Sequence, residues 1–246
     1  MAVRDVVQAA AGVGGAGEYV EDVFSTYLYA GNGSTQTITN GIDLDGEGGL
    51  VWVKNRTGAN NHILTDSARG TANFLRSNLT NAQDTNSPNL ISAFNSNGFS
   101  LGVNYADVNA SSNNYASWSF RKSPSFFDVV TWTGNNTNNR QILHSLGSRP
   151  GMVVVKNISE SADWYVWHKS LAPSGGSAAN LRLNTSDAVQ YSDYYVEDST
   201  SSEYIQLGLA GGLNENNKQY VAYLFAHNDA GGFGDDGEQN VISCGS

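Results

Sequence analysis

The sequence predicts an all-β protein: two tandem antiparallel β-sandwiches or jelly rolls on a short N-terminal arm. Three observations carry this. Short apolar runs with a β-branched bias, Val51-Trp52-Val53 and Val153-Val154-Val155, fit strands buried on both faces or at a sandwich core. Turn signals such as Gly31-Asn32-Gly33, Asn40-Gly41, Asn97-Gly98 and Gly211-Gly212 punctuate the chain, because Gly and Asn reach positive φ at little cost. No stretch of a dozen residues shows sustained helical periodicity.

The domain organisation follows from an internal repeat. Gly49-Leu50-Val51-Trp52-Val53-Lys54-Asn55 returns as Gly151-Met152-Val153-Val154-Val155-Lys156-Asn157. Tyr29-Ala30-Gly31-Asn32 returns as Trp132-Thr133-Gly134-Asn135, and Phe99-Ser100-Leu101-Gly102 as Ile205-Gln206-Leu207-Gly208. Tyr115-Ala116-Ser117-Trp118-Ser119-Phe120 returns as Tyr220-Val221-Ala222-Tyr223-Leu224-Phe225. The order is the same throughout, and the separation drifts only in loops rich in Asn, Ser and Gly. The division is an arm over residues 1–22, repeat one over 23–129 and repeat two over 130–246. Each repeat has the usual size of one sandwich.

Details within the repeats give further expectations. Tyr115, Ser117 and Ser119 alternate with Ala116, Trp118 and Phe120, the period of a strand with one buried face. Tyr220–Phe225 is apolar at nearly every position, so its second face should meet another layer or subunit. Phe126–Trp132 crosses the predicted boundary as a largely apolar run, so the repeats should pack tightly or share a strand. Asn240–Ser246 stands where a third repeat's first strand would begin. Either the chain is a fragment or this stretch is a strand that closes repeat two.

Composition narrows the function classes. Of 246 residues, 39% are hydrophobic and 11% aromatic, which speaks against a disordered chain. The net charge is −10, and neither repeat has a basic patch able to neutralise a phosphate backbone, so no nucleic acid is expected as partner. The longest apolar runs fall far below the roughly 20 residues of a bilayer span. The start, Met1-Ala2-Val3-Arg4-Asp5, lacks the apolar core of a signal peptide. Synthesis and assembly in a cytoplasm fit. The single Cys244 excludes an intrachain disulfide and a multi-Cys zinc site. No cofactor motif is present, and Gly14-Gly15-Ala16-Gly17 lacks the Lys-Ser/Thr and the preceding strand of a phosphate loop.

The chemistry-bearing residues offer few constellations. His62, His144, His168 and His227 form no metal-binding pair and read as hydrogen-bonded residues beside strands. Asp43 and Asp45, and again Asp235 and Asp236, sit in acidic turns. Such turns either supply oxygens to a hard cation such as Ca²⁺ or are simply solvated. No catalytic carboxylate pair can be read. Trp164, Tyr165 and Trp167, followed by Tyr194 and Tyr195, are the candidate glycan contacts, since flat aromatic faces beside polar groups suit sugar rings. The competing reading is that they are core or subunit-interface aromatics. The spacing of Val6, Val7, Ala10 and Ala11 would put them on one side of a short helix before a Gly-rich hinge, an expected arm for docking on a partner. The alternative is a disordered terminus.

The string Tyr29-Ala30-Gly31-Asn32-Gly33-Ser34, Gly48-Gly49-Leu50-Val51-Trp52-Val53-Lys54-Asn55-Arg56, His62-Ile63-Leu64-Thr65-Asp66-Ser67-Ala68-Arg69-Gly70 and Trp118-Ser119-Phe120-Arg121-Lys122 resembles a repeat domain of tailed-phage virion proteins, including those of cyanophages. Ser145-Leu146-Gly147-Ser148-Arg149-Pro150 and Tyr223-Leu224-Phe225-Ala226-His227-Asn228 extend the resemblance through repeat two. It implies a non-enzymatic virion structural protein, of tail-fibre, spike or appendage type, whose sandwiches are lectin-like jelly rolls. The expected partners are other virion proteins, further copies of the same chain, for instance in a trimer, and host-surface polysaccharide. Two rival expectations are a neck, baseplate or capsid-decoration protein with no receptor, and a polysaccharide-degrading spike enzyme. Repeat two lacks the Asp66-Ser67-Ala68-Arg69-Gly70 pattern, so any role of Asp66 or Arg69 is confined to repeat one.

Overall fold

The structure is a computed structural model that describes residues 17–85, 90–103, 105–171, 178–192, 195–208, 212–228 and 231–245. After a single helical turn, α1 (Val20–Val23), every regular element among the described residues is a strand. In the N-terminal half these are β1 (Phe24–Ala30), β2 (Gln36–Thr39), β3 (Gly49–Asn55), β4 (His62–Asp66), β5 (Ile91–Asn95), β6 (Gly98–Leu101) and β7 (Asn114–Arg121). The C-terminal half holds β8 (Phe127–Thr133), β9 (Gln141–Leu143), β10 (Met152–Asn157), β11 (Trp164–His168), β12 (Ala178–Arg182), β13 (Gln190–Ser192), β14 (Tyr195–Thr200), β15 (Tyr204–Leu207) and β16 (Gln219–Phe225). All pairings are antiparallel, so the all-β reading is correct.

Among the described residues four sheets form, with orders β1-β7-β3-β4, β2-β6-β5, β13-β12-β11-β10-β16-β8 and β14-β15-β9. Three apolar clusters show how they stack. Tyr29, Val51, Val53, Ile63 and Tyr115 of the four-stranded sheet bury against Ile38, Ile91, Phe99 and Leu101 of β2, β5 and β6. Val153, Val155, Tyr220, Ala222 and Leu224 of the six-stranded sheet bury against Ile142, Ile205 and Leu207 of β9 and β15. The opposite faces of the two larger sheets meet each other through Leu50 and Leu64 on one side and Phe127, Val154, Val166, Val221, Tyr223 and Phe225 on the other. The order of layers is therefore three, four, six and three strands, a β-sandwich-like stack with its largest apolar contact at the centre.

This stacking accounts for the sequence pattern. Val51 and Val53 point to one cluster while Leu50 points to another, so β3 is apolar without strict alternation. The same holds for β16: Tyr220, Ala222 and Leu224 face outward to the three-stranded sheet, and Val221, Tyr223 and Phe225 face the other half. β7 departs from the expected single buried face. Ser117 and Ser119 are fully buried and Ala116 nearly so, because sheets cover both sides. The predicted boundary between Val129 and Val130 falls inside β8, which lies wholly in the six-stranded sheet. The expected closing strand at the C-terminus is absent among the described residues. Instead, Asn228 N–H donates to Ile242 O (3.2 Å) and Cys244 N–H to His227 Nδ1 (3.0 Å), folding this segment against Gly151.

The two halves hold their first turn in the same way. Tyr29 stacks on Tyr115 at 5.2 Å, and Trp132 on Tyr220 at 5.3 Å. The hydroxyls of Tyr115 and Tyr220 accept the N–H of Ala110 (2.8 Å) and Glu215 (3.0 Å). Asn109 and Asn214, both fully buried, accept at Oδ1 from the N–H of Asn32 and Asn135 (both 3.2 Å). A Cβ at Gly31 would lie 2.2 Å from Ala110 O, and one at Gly134 2.0 Å from Glu215 O, in the loops that lead into β7 and β16. That contact explains the glycine in Tyr-Ala-Gly-Asn and Trp-Thr-Gly-Asn.

Candidate functional site

The two halves are pinned by a buried polar cluster. β4 ends at Asp66, whose carboxylate accepts the Arg69 backbone N–H (3.0 Å), closing the turn that follows the strand. The same carboxylate pairs with the Arg69 guanidinium, Nε at 2.6 Å and Nη2 at 2.5 Å from Oδ2. Tyr223, on β16 of the other half, donates its hydroxyl to Asp66 Oδ2 (2.8 Å) and accepts from Arg69 Nη2 (3.1 Å). Asp66 is fully buried and the Arg69 side chain 3% exposed. Burial alone would lower the Arg69 pKa. Tyr223 and the Asp66 carboxylate reverse that and keep the guanidinium charged. The Tyr223 hydroxyl is pushed well above its ordinary range, chiefly by burial. A charge pair this deep holds only while both partners remain, since removing one strands the other without solvent.

The loop beyond Arg69 extends the contact. Arg69 Nη1 donates to Gln83 Oε1 (3.0 Å), and Gln83 Nε2 to Asn73 Oδ1 (3.0 Å). Gln83 N–H donates to Ile158 O (3.1 Å), and Ala162 N–H to Thr80 O (2.9 Å). Trp164 Nε1 donates to the carbonyls of Arg76 and Leu79, both at 3.1 Å. This loop of the N-terminal half is thus stapled across the six-stranded sheet.

Between the loop and the sheet opens a cleft of about 460 Å³. One wall is Ala68, Arg69, Asn73 and Gln83; the other is Thr131, Thr133, Gln219 and Ile158, with main chain of Trp132 and Tyr220. Thr131 and Thr133 continue the face that carries Phe127 and Val129, at the point where the opposing sheet no longer covers it. They and Gln219 are exposed. The lining is amide, hydroxyl and main chain around one neutralised guanidinium, which suits a ligand that exchanges neutral hydrogen bonds.

The predicted site residues are scattered. Trp164 is fully buried, its ring stacked at 6.4 Å on Tyr223, so it offers no face to a ligand. Its neighbours in β11 alternate sides. Tyr165 and Trp167 pack against the outer cluster of the C-terminal half, and Arg182 lies over the Tyr165 ring at 3.8 Å. Tyr194 lies outside the described residues, as do Val6, Val7 and Ala10; for Tyr195 only the backbone position at the start of β14 is described. Asp43 accepts the Gly46 N–H at Oδ1 (2.8 Å), and Asp45 is exposed in the same turn. Asp235 accepts from the Tyr19 hydroxyl, and Asp236 from the Glu238 N–H (3.1 Å). Among the described residues no three His, Cys, Asp or Glu side chains converge on a metal-sized site.

Each histidine accepts a hydrogen bond at Nδ1: His62 from Trp52 Nε1 (2.9 Å), His144 from Leu146 N–H (3.3 Å), His168 from Ser170 N–H (3.2 Å) and His227 from Cys244 N–H. Burial lowers the pKa of His62, His144 and His168, which favours the neutral ring this bonding needs. Strand pairing also matches positions between the halves: Asp66 lies opposite Leu50, and His168 opposite Met152, so His168 corresponds to Asp66.

The cleft residues Arg69, Gln83, Thr131 and Gln219 were not among the predicted contacts. The one sequence signal for them is a polar residue replacing an apolar one at the end of a face, as in Val129-Val130-Thr131 and Gln219-Tyr220-Val221. Fold and cleft together define a β-sandwich-like protein with a polar cleft between two packed halves. The model of one family, described as "Domain of unknown function (DUF7483)", matches residues 20–238, and the chain belongs to that family. No curated protein and no solved structure matches it. Among the described residues no helix is long and apolar enough to cross a membrane.

Proposed function

We propose that the chain is a non-catalytic structural protein of a tailed-bacteriophage particle, a tail-fibre, spike or other appendage component. In this reading it consists of two copies of one jelly-roll-like sandwich, and the cleft between them receives a neutral saccharide of the host surface. The duplication is supported by equivalent sheet orders, β1-β7-β3-β4 and β8-β16-β10-β11, and by the matched Tyr29–Tyr115 and Trp132–Tyr220 stacks. Nested pairing of β1 with β7 around β2 with β6, and of β8 with β16 around β9 with β15, is the jelly-roll habit. The β3–β4 hairpin is a departure from it.

The observation that carries the saccharide reading is the cleft lining. Thr131, Thr133, Gln219, Asn73 and Gln83 offer hydroxyl and amide groups, with no carboxylate side chain on the wall. Sugar hydroxyls need such donors and acceptors, and hydrolysis of a glycoside would need paired carboxyls. Binding of the full chain to bacterial surface oligosaccharides, followed by saturation-transfer NMR, tests this. Gln219→Ala and Thr131→Ala should each weaken binding about tenfold, the loss of one good hydrogen bond. Binding to no oligosaccharide would sink the saccharide reading and leave a neck, baseplate or decoration role. One fact favours that second reading: Arg69, Asn73 and Gln83 already satisfy one another. Antibody labelling or a cryo-electron map of the particle tests the virion assignment; failure to find the chain in purified particles would contradict it.

A further inference from the structure

β1 is the outer edge of the four-stranded sheet, in continuous register with β7 from Phe24 to Ala30. Gly31 N–H donates to Asn113 O across this pair (2.8 Å), so odd-numbered positions aim their main-chain groups at β7. Phe24, Thr26, Leu28 and Ala30 therefore aim theirs outward. The two ends are occupied: Phe24 N–H donates to Val20 O, and Gln36 Nε2 donates to Ala30 O (3.2 Å). Between them Thr26 and Leu28 each present an N–H and a C=O that find no ladder partner among the described residues.

Exposed edges are usually blunted by a charge, a proline or a bulge. Phe24-Ser25-Thr26-Tyr27-Leu28-Tyr29-Ala30 has none of these. Leu28 is 59% exposed and Tyr27 37%. The matching edge strand of the C-terminal half is treated differently. In β8 the Asp128 carboxylate accepts the N–H of Val129 (2.8 Å) and of Ser145 (2.7 Å), whereas at the far end the edges are alike, Arg140 Nη1 donating to Thr133 O (2.5 Å) as Gln36 does to Ala30 O. Ser25 stands where β8 carries Asp128.

We propose that β1 pairs antiparallel with β1 of a second copy of this chain, about a twofold axis at Tyr27, joining two four-stranded sheets into one. This register sets Thr26 of each copy opposite Leu28 of the other. Such hydrogen-bonded pairs exchange both bonds, so every outward group of Thr26 and Leu28 is satisfied. The open groups lie symmetrically about Tyr27, which suits a second copy, and charge selects the direction. The strip is neutral, so it meets its own copy without like-charge contact. Glu21 and Asp22 lie just before the strand. Antiparallel pairing brings them beside Asn32, Gly33 and Ser34 of the other copy, whereas parallel pairing would set each against itself. Because the whole chain is strongly acidic, association tightens with added salt.

Sedimentation of the full chain across concentration and salt tests this, with a dimer mass expected. Thr26→Pro removes an outward N–H without touching the ladder to β7. It should raise the dissociation constant at least tenfold, and Leu28→Lys should do the same by placing charge on the edge. At the axis the two Tyr27 Cα atoms would lie about 4.5 Å apart as a non-hydrogen-bonded pair, inside disulfide range. Mild oxidation should therefore cross-link Tyr27→Cys into a covalent dimer and leave Thr26→Cys monomeric. A wild-type chain that stays monomeric at about 1 mM, where even millimolar self-affinity shows, overturns the proposal. So does a trimeric mass, association indifferent to both Thr26→Pro and Leu28→Lys, or equal cross-linking at positions 26 and 27. None of these outcomes depends on whether a saccharide binds.

Discussion

Asn109 and Asn214 perform one task in the two halves, while Asp66 and His168, which also correspond in register, perform different ones. The asparagines each hold a first turn from inside a closed sandwich. Asp66 instead reaches out of its own half to Tyr223, and His168 only accepts the N–H of Ser170 in its own turn. The lysines near the ends of β3 and β10 make like bonds but differ in burial. Lys54 donates to the carbonyls of Asn55 (2.8 Å) and Asn60 (2.9 Å), and Lys156 to that of Asn157 (2.7 Å). Yet Lys54 is half-buried and Lys156 has no exposed surface. Positions that close each half on itself are alike in the two halves. Positions where the halves meet, or where an edge is left open, differ.

The largest effect should come from the junction. Arg69→Met leaves the Asp66 carboxylate buried beside Tyr223, and should cost about 3–5 kcal/mol in urea unfolding. Replacing both partners, Asp66→Leu with Arg69→Met, should recover most of that loss, a coupling that only a shared buried pair produces. Additive losses would mean the two residues do not act together.

Next in size is a pH effect confined to the C-terminal half. Burial depresses the Lys156 pKa from its ordinary 10.5 to about 8, against smaller opposing pulls from Asp163 and Glu160. Below pH 8 the ammonium is charged in both folded and unfolded chains. Between about 8 and 10.5 the unfolded chain holds the extra proton, so stability should rise with pH across that window, by up to about 3 kcal/mol. Lys156→Met should flatten the rise, and Lys54→Met should leave it in place. Denaturation curves at pH 7.5 and 10 would decide.

Asn109→Ala and Asn214→Ala should each cost about 1–3 kcal/mol, since each strands buried backbone groups. The equality is the informative part: a large loss at one and none at the other would break the equivalence of the halves. The smallest effect is expected at His62. Its folded pKa is lowered by burial, with Lys54 adding to the shift. The neutral ring therefore stabilises the fold above the ordinary pKa of about 6.5, and that contribution fades as pH falls through the lowered value. Trp52 fluorescence, reporting the indole bonded to His62 Nδ1, should follow the same titration.

Much of the sheet structure was legible in the sequence, because its cause is local. Val51 to Val53 and Val153 to Val155 announce strands, and the doubly apolar Tyr220–Phe225 announces a second layer. That this layer is the other half of the same chain was open, since an apolar face does not name what covers it. The aromatic run at Trp164 misled for the same reason. A tryptophan that stacks on a sugar and one that stacks on Tyr223 look identical in a string of residues. The cleft was least legible of all. Its walls come from positions 68–83 and 131–220, and no short-range pattern links them. The motif Asp66-Ser67-Ala68-Arg69-Gly70 was visible, but the phenol that completes it lies 157 residues further on.

Native-state hydrogen exchange at the amides of Val53 and Val155 tests most directly whether the two halves share one centre. With the two large sheets packed through Leu50, Leu64, Phe127 and Tyr223, both amides should exchange only through global unfolding, at one common free energy, and Arg69→Met should lower both by the same amount. If Val155 exchanges through an opening that leaves Val53 protected, or Arg69→Met shifts one amide alone, the halves fold as separate bodies and the account of a fused core fails.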